Sequence, residues 1–196
     1  MQQPHYIMFH SRKPQLSAGT IAQLVKITHF NEAEIQQHYQ TFLNDCPSGK
    51  ADKAYFIQLH RSMYPSGDPD EFAEYLFAVF DRNRDGFIDF NDHISVLSTM
   101  MKGSFEDKYK WIFYMYDIDK DGFITYAEMS RIFIAIDKLT CRVIKSSWIQ
   151  ESPEMRVNRM FAKMDRNKDN KLSLDEFLAG CRSDPAMLAT LSPSSF

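Results

Sequence analysis

The sequence repeats one pattern: an apolar segment with helical spacing, twelve residues rich in oxygen-bearing side chains, and a second apolar segment. The twelve-residue stretches begin at Asn44, Asp81, Asp117 and Asp165, which are 37, 36 and 48 residues apart. Apolar residues that recur every three or four positions predict an amphipathic helix on each side of every stretch. The repeat therefore predicts four helix–loop–helix units.

The third stretch, residues 117–128, offers an oxygen at each position that calcium coordination demands. Calcium takes six to eight oxygens, and an EF-hand loop supplies them from positions 1, 3, 5, 7, 9 and 12 around a glycine turn at position 6. Gly122 occupies the turn. The predicted ligands are Asp117, Asp119, Asp121, the carbonyl of Phe123, Thr125 and Glu128. We predict that this loop binds Ca²⁺.

The fourth stretch, residues 165–176, keeps the pattern with one departure. Its predicted ligands are Asp165, Asn167, Asp169, the carbonyl of Lys171, Ser173 and Glu176. Asn170 stands where the turn glycine is usual, and asparagine is the residue other than glycine that best tolerates a positive φ. We therefore expect this loop to bind Ca²⁺ as well.

The second stretch, residues 81–92, departs at its last position. Its predicted ligands are Asp81, Asn83, Asp85, the carbonyl of Phe87, Asp89 and Asp92. Asp92 is one methylene shorter than glutamate, so it reaches an ion with one oxygen more easily than with two. Fewer oxygens suit octahedral Mg²⁺ better than the larger Ca²⁺. The sequence predicts a metal site here and leaves weak Ca²⁺ binding and Mg²⁺ binding open.

The first stretch, residues 44–55, has lost its ligands. Cys46 stands at position 3 and Tyr55 at position 12, and neither offers a carboxylate. Gly49 keeps the turn, while Pro47 stiffens the backbone. We predict no metal here and a structural role as the partner on which the second loop packs.

The units combine into an all-α fold: two pairs of EF-hands in one compact chain, with short antiparallel β pairing between the loops of a pair. The predicted organisation is a flexible segment over 1–15, an N-terminal pair over 16–102, a C-terminal pair over 103–183 and a tail over 184–196. Eleven of the 26 acids stand at ligand positions, which leaves 15 acids against 23 Lys and Arg in the rest of the chain.

Composition excludes several functions. A net charge of −3 disfavours nucleic acid as a partner. Three widely spaced cysteines argue against a disulfide framework, and no apolar run approaches the ~20 residues of a membrane helix. The six histidines show no spacing typical of a metal site or a nucleophile, so we predict no catalysis. These features predict a cytoplasmic protein that is not an enzyme.

Several short segments are characteristic of one family: Cys46-Pro47-Ser48-Gly49, Thr28-His29-Phe30, Tyr64-Pro65-Ser66-Gly67-Asp68-Pro69, Gly103 ahead of Lys110-Trp111, and Ser183-Asp184-Pro185. On these residues the chain resembles the neuronal calcium sensor family, which includes recoverin, frequenin, visinin-like proteins, neurocalcin and hippocalcin. The resemblance covers about residues 16–190, and its most specific mark is the ligand-poor first loop.

The resemblance implies two compact EF-hand lobes with a hydrophobic crevice on the N-terminal side, which metal opens to a target helix or to the protein's own C-terminal segment. Two departures stand out. The family usually carries an N-terminal myristoyl group, but Gln2 rather than glycine follows Met1, so we expect no lipid anchor and only indirect or weak membrane contact. In the second, Asp92 at the last position of the second loop resembles the residue at that position in the potassium-channel-interacting branch of the family.

The predicted function is a calcium sensor that exposes a groove to bind and regulate an amphipathic helix of a channel, receptor or enzyme. The candidate groove residues are Ile35, Tyr39, Phe56, Phe72, Phe77, Phe80, Ile94, Leu97 and Met100. Met187, Leu188 and Leu191 are predicted to let the tail plug this groove. A passive calcium buffer, or a calcium-binding regulatory subunit of an enzyme or channel, is the alternative.

Overall fold

The computed structural model describes residues 15–140, 151–184 and Leu191. Within these residues the chain forms helices and four short strands, in this order: α1 Ala18–Ile27, α2 Glu32–Asp45, β1 Lys50–Asp52, α3 Lys53–Met63, α4 Asp70–Phe80, β2 Phe87–Asp89, α5 Phe90–Lys102, α6 Phe105–Tyr116, β3 Phe123–Thr125, α7 Tyr126–Leu139, α8 Pro153–Met164, β4 Lys171–Ser173 and α9 Leu174–Ser183. None of the described helices is both long and apolar enough to cross a membrane.

Residues that the sequence predicts at helix starts stand at the beginnings of α2 and α8. At the start of α2, Asn31 accepts a hydrogen bond from the amide of Glu34 at 3.0 Å, and Glu34 accepts one from the amide of Asn31 at 2.9 Å. This is the capping box that the sequence predicts. Pro153 occupies the first turn of α8, behind the cap Ser152, as its fixed φ favours.

Each predicted pair of units is closed by a two-stranded antiparallel sheet between its loops. Strand β1 pairs with β2, with Ala51 opposite Ile88, and β3 pairs with β4, with Ile124 opposite Leu172. These four central side chains are buried. The predicted all-α fold with loop–loop β pairing is therefore confirmed, and the ligand-poor first loop pairs with the second.

The two halves meet along α4, which packs against α6 and α7. Lys138 Nζ lies 2.7 Å from Glu71 Oε2, and the amide of Asp68 donates to the carbonyl of Lys138 at 3.1 Å. Gly67 comes so close to the end of α7 that a Cβ atom at this position would lie 2.0 Å from the carbonyl oxygen of Leu139. The turn after α3 is thus seated on the C-terminal half.

Of the three tail residues predicted to plug the groove, the structure describes only Leu191. This residue is fully buried, and the hydroxyl of Tyr116 donates to its carbonyl at 3.0 Å. Tyr116 ends α6, so this contact of the tail is with the C-terminal half. Met187 and Leu188 lie outside the described residues.

Candidate metal centre

The third loop brings three carboxylates together. One oxygen from each of Asp117, Asp119 and Glu128 lies within 4.8 Å of the others. Asp117 caps the end of α6 and Glu128 lies in the first turn of α7, so the cluster spans the two helices that flank the loop. Anions this close repel one another, and a divalent cation among them would relieve the repulsion. The donor set therefore fits Ca²⁺.

Backbone amides hold these carboxylates in place. Asp117 accepts hydrogen bonds from the amides of Asp121 and Gly122, both at 3.1 Å. Glu128 Oε1 reaches across the loop to the amide of Ile118 at 3.0 Å. Burial raises the pKa of the Asp117 carboxyl, and the neighbouring charge of Glu128 raises it further. Both effects express the cost of keeping these carboxylates charged without a cation.

The loop backbone turns through two left-handed residues in each predicted metal loop. At position 6, Gly86 and Gly122 have φ of 83° and 89°, and Asn170 has φ of 64° in the fourth loop. Asparagine therefore adopts the turn conformation in place of glycine, as the sequence predicts. At position 4, the basic residues Arg84, Lys120 and Lys168 also have positive φ, between 58° and 63°.

The fourth loop repeats the arrangement of the third. Glu176 Oε1 accepts from the amide of Arg166 at 3.2 Å, so this glutamate also reaches across its loop. Its other oxygen accepts from the hydroxyl of Ser173 at 2.7 Å, which lowers the pKa of Glu176. Asp165 Oδ1 is buried and has no hydrogen-bond partner in the described chain. A buried oxygen without a partner lowers the stability of the fold unless a cation or a hydrogen-bond donor binds it.

The second loop differs where the sequence predicts. Within the described chain, the Asp92 carboxylate accepts a backbone hydrogen bond from Asp89 at 3.3 Å, and none from the amides at positions 2 and 3. Asp92 is therefore too short for the cross-loop reach of Glu128 and Glu176. Burial raises the pKa of Asp92, and the charges of neighbouring loop carboxylates add to the rise. Asp81 keeps the arrangement of Asp117, accepting from the amides at positions 5 and 6.

A side-chain hydrogen bond spans the first loop. The hydroxyl of Tyr55, at position 12, donates to the carbonyl of Asp45, at position 2, and so spans the loop as Glu128 does in the third. Ser48 donates to the carbonyl of Lys50 at 2.7 Å. Proline holds φ near −65°, so Pro47 cannot adopt the positive φ that position 4 has in the other loops. The backbone as well as the ligands thus departs from a metal site.

A lysine links the two loops of each pair. Lys50 Nζ of the first loop lies 3.8 Å from Asp85 Oδ2 of the second, and Lys171 Nζ of the fourth lies 3.7 Å from Asp121 Oδ2 of the third. In both pairs the lysine occupies position 7 and the aspartate position 5. A positive charge from one loop therefore stands beside a predicted ligand of its partner.

The predicted groove residues fall into two groups in the N-terminal half. Tyr39, Phe80, Leu97 and Met100 are half-buried. The others lie in the hydrophobic core: Ile35, Phe56, Phe72, Phe77 and Ile94. The ring of Phe56 packs against the rings of Phe77 and Phe80, with centroids 5.8 and 5.6 Å apart. These three rings are therefore packed on one another, and exposure of the buried candidates requires movement of the helices.

The sequence reasoning missed one apolar surface on α3. Tyr55, Leu59 and Met63 are exposed on this helix, by 42%, 36% and 59%. They recur every four residues, so they share one face of the helix. The spacing was available in the sequence as a signal, but periodicity alone does not say whether an apolar face is buried or exposed.

Comparison with known proteins agrees with this architecture. Residues 106–182 match the EF-hand domain pair model, and residues 68–92 match an EF hand model. The chain is 42% identical over 181 residues to neuronal calcium sensor 1 of Aplysia californica, and 40% identical over 181 residues to neuronal calcium sensor 1 of Lymnaea stagnalis. Each match covers 92% of this chain and 95% of the relative. The chain therefore belongs to the neuronal calcium sensor family of EF-hand proteins.

Proposed function

We propose that this protein is a cytoplasmic calcium sensor. It binds Ca²⁺ through the third and fourth loops and, in response, opens an apolar groove in its N-terminal half for an amphipathic helix of a target protein. The second loop takes Mg²⁺ or weak Ca²⁺, and the first takes neither. The partner is a protein helix and not nucleic acid.

The position of Glu128 is the observation that carries this proposal. Its carboxylate belongs to the cluster of the third loop, while its backbone belongs to the first turn of α7. Helix α7 packs against α4, which carries the candidate groove residues Phe72, Phe77 and Phe80. A change in the reach of Glu128 would therefore shift α7 and, through it, α4.

A bound divalent ion supplies positive charge that neutralises the carboxylates of the loop. The residues of the chain do the rest. Glu128 fixes the start of α7 relative to Asp117 at the end of α6. The core contacts of Phe56 with Phe77 and Phe80 have to part before the groove can admit a helix. The stripe of Tyr55, Leu59 and Met63 on α3 extends the apolar surface that a target would meet.

An apolar-dye titration separates a sensor from a passive buffer. We expect dye fluorescence to rise when Ca²⁺ is added to the chelated protein, because a sensor exposes apolar surface when it binds Ca²⁺. A buffer barely changes shape and should give no rise. Glu128→Gln should abolish most of the rise, whereas Glu154→Gln, an exposed residue outside the loops, should leave it intact. A protein that binds Ca²⁺ by calorimetry but shows no increase in dye fluorescence is a buffer, and the proposal is then wrong.

We propose further that the tail covers apolar surface at the end of α6, in the C-terminal half, and so competes with a target helix. Leu191 is buried at Tyr116, so removal of the residues after Asp184 exposes the end of α6. The truncated protein should bind more dye without Ca²⁺ and should bind a target helix more tightly. Unchanged dye binding and unchanged target affinity would contradict this role.

A further inference from the structure

A cleft of about 690 Å³ lies between the second and third units, on walls formed by α4, α5, α6 and the loops that follow α4 and α6. Its size falls in the range typical of small-molecule sites. Four basic side chains line it, together with the aromatic residues Trp111 and Tyr114. The basic residues are Arg82, Arg84, Lys110 and Lys120.

Most of this positive charge is available to a ligand. Arg82 and Arg84 are exposed, and in the described chain neither guanidinium belongs to an ion pair. Lys120 Nζ donates to the carbonyl of Ala78 at 3.1 Å and forms no ion pair with the described residues. Of the four, only Lys110 has an acidic partner in this part of the chain, Glu106 at 3.1 Å on the same helix.

The two described acids that line the cleft, Asp107 and Asp117, accept hydrogen bonds from residues close to them in the sequence. Asp107 accepts from the amide of Ser104 at 3.0 Å and from its hydroxyl at 2.6 Å, in the cap of α6. Asp117 accepts from two amides of the third metal loop. Four cations against two engaged carboxylates leave the cleft positive.

We propose that this cleft binds an inositol polyphosphate, either free in solution or as the headgroup of a lipid. A guanidinium group can donate two parallel hydrogen bonds to one phosphate, and a lysine adds a point charge. Trp111 and Tyr114 offer apolar faces for the carbon skeleton of a ring. Three of the four basic residues belong to the second and third metal loops, and Trp111 packs against the groove candidate Phe80 with ring centroids 6.4 Å apart. None of the four basic residues occupies a ligand position, so the proposal does not depend on whether the protein is a sensor or a buffer.

The fold offers a matched control for this site. Arg84 and Lys120 both occupy position 4 of a metal loop, with φ of 58° and 63°. Lys168 has the same loop position and a φ of 60° in the fourth loop, is exposed, and does not line this cleft. Position 4 is not a ligand position, so substitution of any of the three spares the metal donors.

The test is a titration of the full chain with inositol trisphosphate, under saturating Ca²⁺ so that the charge at Asp117 stays constant. Binding is followed by calorimetry and by the fluorescence of Trp111, isolated by Trp148→Phe. We expect Arg84→Gln and Lys120→Gln each to weaken binding by about tenfold, as the loss of a charged hydrogen bond implies. Lys168→Gln should change binding by less than about twofold, because its distant charge is screened. Calcium stoichiometry should be the same in all variants.

Vesicles of phosphatidylcholine with and without a phosphatidylinositol bisphosphate identify the source of the ligand. Binding to the charged vesicles with the same dependence on Lys120 assigns a lipid headgroup, and binding to soluble inositol trisphosphate alone assigns a free phosphate ester; both outcomes support the site. The proposal is overturned if neither probe binds, if Lys168→Gln weakens binding as much as Lys120→Gln, or if a polyglutamate peptide competes as well as inositol trisphosphate.

Discussion

A single methylene separates Asp92 from the glutamates that end the third and fourth loops. Glu128 and Glu176 reach the amides of Ile118 and Arg166 across their loops, whereas Asp92 stays beside Asp89. We expect Asp92→Glu to raise the Ca²⁺ affinity of the second loop by about tenfold or more, because a bidentate ligand is restored. Calorimetric titration with Ca²⁺ and with Mg²⁺ measures the change, and Asp92→Asn should weaken both. An unchanged Ca²⁺ affinity in Asp92→Glu would show that position 12 does not limit this site.

Arg156 and Asp137 form a buried ion pair in the C-terminal half. Arg156 donates to Asp137, both side chains are almost inaccessible, and the guanidinium lies 4.7 Å from the ring centre of Phe133. Asp137→Ala should lower the free energy of unfolding by about 3–5 kcal/mol, because it leaves a buried charge without its partner. Urea denaturation under chelator measures this loss.

Two control variants test this explanation of the buried pair. Asp137→Leu combined with Arg156→Met should recover much of the stability, since it removes both charges. Lys163→Ala breaks the exposed pair with Asp184 and should cost less than about 1 kcal/mol. Equal losses for the buried and the exposed pair would contradict the role of burial.

At the scale of the element, the backbone of the first loop differs from that of the three predicted metal loops. In the three predicted metal loops position 4 has a positive φ, which Pro47 cannot adopt. We expect that Cys46→Asp with Tyr55→Glu, which restores two ligands, will not bind Ca²⁺ in calorimetric titration. Adding Pro47→Lys to these two changes should create binding. Calcium binding by the variant that keeps Pro47 would show that the side chains alone had silenced the loop.

The elements themselves were largely predictable, because their determinants are local. The cap at Asn31 and the proline at the start of α8 followed from residues a few positions apart, and the loop pairing followed from the repeat of the units. The left-handed turn at Asn170 followed from its side chain. The cross-loop bond of Tyr55 was not predicted, because a tyrosine at position 12 indicates only that a carboxylate is missing.

For the whole molecule, Gly67 decides how closely the two halves approach. A Cβ atom there would meet the backbone of Leu139 at 2.0 Å, and backbone atoms cannot yield as a flexible side chain can. Gly67→Ala should therefore displace the turn and cost about 1–3 kcal/mol of unfolding free energy. Hydrogen exchange at the amide of Asp68, which donates to Lys138, should become faster.

A glycine elsewhere in the chain provides the comparison. A Cβ atom at Gly19 in α1 would lie no closer than 3.8 Å to its neighbours, so Gly19→Ala should leave stability unchanged or raise it slightly. If Gly67→Ala matched Gly19→Ala in urea denaturation and in exchange at Asp68, the close approach would not limit the junction.

The sequence by itself determined the helix–loop–helix repeat, the oxygen donors that each of the four loops offers and the family, because these donors lie within twelve consecutive residues. Tertiary structure alone decided which apolar residues are covered, how Asp137 meets Arg156, and that Arg84, from the second loop, shares a cleft with Lys120 from the third. Such contacts join residues far apart in the chain. They depend on how α4 packs against α6 and α7, and the helical periodicity of a single segment does not specify the angle between packed helices.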